Sequence, residues 1–155
     1  RDLIAGAMAF PIRPVSAIMH SEKEITYLRE VDHLDPLTLD RLYKTGQNTF
    51  PVKDSGDQIA GLLRLDNFDA LKVTEDFVSD HMSHDVCYAR IDYSLEMLLM
   101  TFSRANNNFA LIVDRDANTV GYATLSDLME ELFGASNETF SADANLDAVA
   151  KRSKK

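Results

Sequence analysis

The chain of 155 residues has a single cysteine, Cys87, which excludes an intrachain disulfide and suits a reducing compartment. Positive charge is scarce: 16 basic side chains stand against 25 acidic ones, for a net charge of −9. Such a chain repels phosphate backbones, so nucleic acid is not an expected partner. The basic residues cluster only at Lys151, Arg152, Lys154 and Lys155. Long hydrophobic runs are missing as well. The longest nearly uncharged apolar stretch is residues 3–10, far short of the ~20 residues that span a bilayer. No signal-peptide pattern opens the chain. Beginning at Arg1, it reads as a piece excised from a longer protein. It contains no Gly-x-Gly-x-x-Gly run, Walker loop or nucleophile elbow, and no paired nucleophile and base, so catalysis is not expected.

What remains is a globular composition, 45% hydrophobic and 26% charged, long enough for one ordinary domain or two small ones sharing a core. The chain repeats itself. Val15-Ser16-x-x-Met19 returns as Val78-Ser79-x-x-Met82. Asn48, Asp54, Gly61 and Leu65 return as Asn108, Asp114, Gly121 and Leu125. Each half spans about 60 residues, and two copies fit a fused pair better than an array.

Both halves give the same element order. In the first, residues 24–28 (EITYL) read as a strand, and Asp35-Pro36 opens a helix as N-cap and first helical residue. Leu37, Leu39, Leu42 and Tyr43 give that helix its apolar spacing, and Gly46 ends it. Residues 50–53 and 59–63 form a hairpin about the turn Asp54-Ser55-Gly56-Asp57, and a helix over 65–71 closes the unit. In the second, a strand at 86–89 precedes a helix capped by Ser94, with Leu95, Leu98, Leu99 and Phe102 on its apolar face. Strands at 109–113 and 119–123 form the hairpin, and a helix over 125–133 stops at Gly134. Ala110-Leu111-Ile112-Val113 is apolar on both faces, so its sheet should be covered on both sides. Residues 2–9 read as a short helix. The predicted class is α/β (α+β), with two tandem β-α-β-β-α repeats in one pseudo-two-fold module: a lead-in at 1–12, repeats at 13–73 and 76–135, and a tail at 136–155 that reads as a loosely packed helix or a disordered segment.

This pattern resembles the cystathionine-beta-synthase (CBS) domain pair, or Bateman module. The residues that carry the resemblance are Val15-Ser16-x-x-Met19, Phe50-Pro51-Val52-x-Asp54, Gly61-Leu62-Leu63, Ala110-Leu111-Ile112-Val113-Asp114 and the run from Gly121 to Glu131. That last run is most similar to CorC-type magnesium and cobalt efflux proteins and their hemolysin-like relatives. The resemblance implies a regulatory, non-catalytic module that binds an adenosine nucleotide (AMP or ATP, with or without Mg2+) and forms a homodimer. It implies attachment to a membrane or C-terminal domain of a longer parent chain, and a cytoplasmic location at the face of a membrane. The alternative is a ligand-free dimerisation module.

Thr124 and Asp127 are the first candidates for a site. At a helix start the free N–H groups and the dipole favour an anion. The Thr124 hydroxyl could meet a phosphate there, and the Asp127 carboxylate the two hydroxyls of a ribose, with Gly121 allowing close backbone approach. Thr-x-x-Asp is equally a capping box, and one side chain can serve both ends. The resemblance adds His20 and Ile25 near the base, Gln47 and Asn48 before the Phe-Pro-Val strand, Asn108 before the Ala-Leu-Ile-Val strand, and Ser126. His20 stands where Thr is common in the family, and Asn108 where some members carry a basic residue. The first repeat has Arg64 and Asn67 in place of Thr124 and Asp127, so one nucleotide per chain is expected. His81-x-x-His84-x-x-Cys87 has metal-ligand residue types, but it spans a helix end and a strand start, and metal binding is not expected. Glu130 and Glu131 point apart on a helix and read as solvated, and Met97 and Met100 as packing residues.

Overall fold

The computed structural model describes residues 12–67 and 76–134. In chain order the elements are β1 (His20–Ser21), β2 (Leu28–Arg29), β3 (His33–Leu34), α1 (Pro36–Lys44), β4 (Thr49–Lys53), β5 (Ile59–Arg64), β6 (Asp76–Phe77), β7 (Cys87–Arg90), α2 (Leu95–Ala105), β8 (Phe109–Val113), β9 (Thr119–Thr124) and α3 (Leu125–Phe133). The expected helix at 2–9, the end of the helix expected over 65–71, and the tail at 136–155 lie outside the described residues. The class is mixed α and β, as expected.

Among the described residues the chain forms two compact units, one within 21–86 and the other combining 12–20 with 87–134. These do not follow the repeats at 13–73 and 76–135, because each repeat's opening segment packs in the other unit. Val15 is fully buried among Cys87, Leu95, Phe102, Ile112 and Leu128. Val78 is fully buried among Leu34, Leu42, Phe50, Val52 and Leu63.

Within Ser21–Val86, β4 pairs antiparallel with β5 and parallel with β2. Asp35 Oδ1 accepts the Thr38 N–H at 2.8 Å and starts α1 with Pro36, and Gly46 at φ 81° ends it. Of the expected apolar set, Leu39 and Leu42 are buried, but Leu37 is 78% exposed and Tyr43 51%, because the nine-residue helix covers the sheet with one face only. The strand expected at 24–28 is displaced. Ser21 caps a 3-10 turn at Glu22–Glu24, and only Leu28 and Arg29 reach partners on β4, Val52 and Lys53. A ladder that the sequence did not suggest joins β3 to β6, with His33 opposite Phe77 and Leu34 opposite Asp76.

In the other unit the sheet order is β1-β9-β8-β7. Ala110, Leu111 and Ile112 on β8 are fully buried, as a strand covered on both faces requires. Ser94 Oγ accepts the Met97 N–H at 3.1 Å to begin α2, and Asn106 in the left-handed region ends it.

The two hairpins are alike residue by residue. Thr49 faces Arg64 as Phe109 faces Thr124, and each ladder shifts register near its turn, at Val52/Lys53 and Ile112/Val113. Asp54 Oδ1 accepts the N–H groups of Gly56 and Gln58, and Asp114 Oδ1 those of Asp116 and Asn118. The left-handed residue is Asp57 in one turn and Ala117 in the other, both at φ 67°; Gly56 is not needed for it.

Candidate functional site

α3 begins where β9 ends, so Thr124 is at once the last residue of a strand and the cap of a helix. Its Oγ1 accepts the Asp127 N–H at 3.1 Å, and Asp127 Oδ2 accepts the Thr124 N–H at 2.9 Å. Both halves of the capping box are therefore made. Leu125 donates its N–H to the Asn108 carbonyl at 3.0 Å, which fixes the helix start against the foot of β8. Asn107 Oδ1 in turn accepts from the N–H groups of Asn108 and Phe109. Ser126 is exposed at the first turn.

His20 adds a third partner to Asp127. Its Nε2 lies 3.0 Å from Asp127 Oδ2. A carboxylate can only accept, so Nε2 carries the hydrogen. The imidazole stacks on Tyr122 at 4.6 Å between ring centroids, and Tyr122 stacks on Phe109 at 5.2 Å. Three rings thus stand in a row beside the helix N-terminus, with His20 37% and Asp127 21% exposed in their side chains. Gly121 makes this approach possible in a way the sequence did not suggest. A Cβ there would lie 2.2 Å from the His20 carbonyl oxygen and 3.1 Å from Met19 Sδ. The room left by Gly121 is taken by the protein's own backbone. Tyr122 was missed among the site residues. Its place beside Gly121, two residues before the cap, was the available signal.

The remaining candidates lie in Ser21–Val86. Ile25 is buried, 8% exposed. The Gln47 side chain makes three hydrogen bonds, accepting from the Thr26 N–H and donating to the carbonyls of Thr26 and Thr49. The exposed Asn48 accepts the Leu65 N–H on its carbonyl at 3.0 Å, the counterpart of Asn108. Gly61 repeats the role of Gly121: a Cβ there would lie 2.4 Å from the Ser83 carbonyl oxygen and 3.1 Å from Met82 Sδ. Ser83 therefore occupies the place of His20, and Arg64 that of Thr124. The segment after Arg64 is a 3-10 turn, Leu65–Asn67.

The histidines of the His-x-x-His-x-x-Cys pattern have other surroundings. His81 Nε2 lies 2.7 Å from Asp76 Oδ2, and His84 is exposed. Cys87 is buried, and desolvation pushes its thiol pKa up, away from the thiolate that a metal needs.

The CBS domain family model matches residues 78–134. The metal transporter cnnm-5 of Caenorhabditis elegans is 23% identical over 159 residues, which cover 89% of this chain and 22% of that protein. The chain therefore spans less than a quarter of this relative. The CBS domain of a bacterial CNNM/CorC family Mg2+ transporter, solved in complex with ATP, matches with a TM-score of 0.69 at 22% identity, over 86% of this chain and 96% of that one. A hemolysin-like protein containing a CBS domain, from Oenococcus oeni PSU, matches with a TM-score of 0.68 at 18% identity, over 84% and 97%. Among the described residues, no helix is long and apolar enough to cross a membrane. Residues 78–134 thus match the CBS domain family, and the chain has the fold of the CBS domains of CNNM/CorC Mg2+ transporters and hemolysin-like proteins.

Proposed function

We propose that this chain is a non-catalytic regulatory module that binds one adenosine nucleotide, AMP or ATP with or without Mg2+, at the N-terminus of α3. The observation that carries this reading is the pairing of a hydroxyl and a carboxylate, Thr124 and Asp127, on one helix start beside a row of aromatic rings. Helix N–H groups favour phosphate, the carboxylate accepts ribose hydroxyls, and π-faces favour a base. The ATP complex of the bacterial relative supports the same ligand class. His20, Asn108 and Ser126 complete the proposed set in this unit; Ile25, Gln47 and Asn48 are separate candidates within Ser21–Val86. The first repeat's Arg64 and Asn67 lack the hydroxyl and carboxylate, so one equivalent is expected. In this reading the chain belongs to a longer ion-transport protein, works as a homodimer at the cytoplasmic face, and biases an attached membrane or C-terminal domain.

Calorimetric titration with ATP, ADP and AMP, each with and without Mg2+, tests the proposal. One site per chain is expected, and two equal sites would contradict the inequality of the repeats. A second reading, a ligand-free dimerisation module, is favoured by Met97, Met100 and Phe133, which stand 46%, 46% and 36% exposed. A dimer whose melting temperature does not respond to any of the nucleotides would select it.

A further inference from the structure

Asp127 has two carboxylate oxygens in unequal circumstances. Oδ2 accepts from both the Thr124 N–H and His20 Nε2. Two donors occupy the two in-plane lone pairs of that oxygen. Oδ1 accepts no hydrogen bond from the described residues, although the side chain is partly exposed. The ring that holds Oδ2 is itself held, stacked on Tyr122, which is stacked on the buried Phe109. Behind it, the His20 backbone is pressed against Gly121, where no Cβ could be accommodated. The imidazole therefore has little freedom to swing away when a ligand arrives.

We propose that His20 is a positioning residue that makes the site asymmetric toward a vicinal diol. By filling Oδ2 it leaves Oδ1 as the only acceptor that Asp127 offers. A ribose then presents one hydroxyl to the carboxylate, and the neighbouring hydroxyl contributes little. This rests on the nucleotide reading above and specifies how the sugar is read. Without the imidazole donor, Oδ2 regains a lone pair and the carboxylate can meet both hydroxyls.

The test compares ATP, 2′-deoxy-ATP and 3′-deoxy-ATP on the wild-type chain and on His20→Phe, which keeps an aromatic ring on Tyr122 but removes the donor. In the wild type, one deoxy analogue should bind about tenfold or more weakly than ATP, while the other stays within about twofold. In His20→Phe both analogues should lose affinity by about tenfold. Equal losses for the two analogues in the wild type, or no loss for either, overturn the proposal while leaving nucleotide binding intact. Failure of all three nucleotides to bind the wild type overturns the nucleotide reading and this role with it. The hold on Oδ2 is read separately by nuclear magnetic resonance without any ligand. The His20 Nε2 nitrogen resonance should move in Asp127→Asn and stay in Glu130→Gln. An unmoved resonance in Asp127→Asn also overturns the proposal.

Discussion

Asp127 serves its own helix before it can serve a ligand. Its Oδ2 closes the capping box of α3 and takes the His20 ring, so replacing it disturbs stability and binding together. Asp127→Ala should lower folding stability by about 0.5–2 kcal/mol, the usual cost of a lost cap. It should also weaken nucleotide binding by about 10- to 150-fold, the worth of a hydrogen bond to a charged group. Urea unfolding measures the first effect and calorimetry the second. Asp35 has the same capping role at α1 but faces no candidate ligand. The Thr38 N–H that it accepts holds its carboxyl pKa below the ordinary value. A lowered folded pKa contributes stability that is present above the unfolded carboxylate value and lost as pH falls through the folded one. Asp35→Asn should therefore flatten the acid limb of the melting-temperature profile and leave neutral pH nearly unchanged. The capping box was legible at this scale, because Thr124 and Asp127 are three residues apart. The His20–Asp127 contact was not, since 107 residues separate the partners and no local pattern links them.

The hairpins are the elements that the sequence specified best. β8 and α3 match their expected bounds, and β4, β5 and β9 differ by one residue at an end. Period-two and double-faced apolar runs fix register strongly when a face is buried. Elements of two residues carry no period, which is why β3 and β6 were invisible and the strand at 24–28 was misplaced. The turns bring a further expectation. Ala117 sits at φ 67°, where an L-residue with a Cβ is strained and glycine is not. Ala117→Gly should raise stability by about 1 kcal/mol, measured as a higher urea midpoint with an unchanged slope. The reverse holds where a missing Cβ makes room. Gly121→Ala places a methyl 2.2 Å from the His20 carbonyl oxygen and should cost about 1–3 kcal/mol, as overpacking does. It should also displace the His20 ring from Asp127.

For the molecule as a whole, charge and ligand linkage set what can be measured. A net charge of −9 opposes a polyphosphate, and Glu130 lies on the same helix as the proposed site, where Glu131 is paired with Arg13. ATP should therefore bind more tightly with Mg2+ than in the presence of a chelator. At 100 times its dissociation constant the nucleotide should add about 2.7 kcal/mol of stability, several degrees in melting temperature. A thermal scan across ligand concentrations reads this shift. At the same ligand concentration Asp127→Ala, bound about 10- to 150-fold more weakly, should gain only about 0.3–1.4 kcal/mol relative to its own baseline.

The exchange of opening segments between the two cores has a consequence for the order of folding. Ser21–Val86 is continuous in sequence, so a ribosome finishes all of its parts before it makes most of the other unit. The second core needs Val15, made early, and Leu128, made near the end. Closing so long a loop is slow, because its entropy is lost before the contact is gained. The early unit should therefore fold first, as an insertion within a unit still waiting for its last helix. Val15, Ile18 and Met19, packed against that second core once it forms, stay uncovered in the meantime. Fragment 21–86 should show cooperative unfolding by circular dichroism when made alone. Fragment 87–134 should not, until a peptide of residues 12–20 is added in trans.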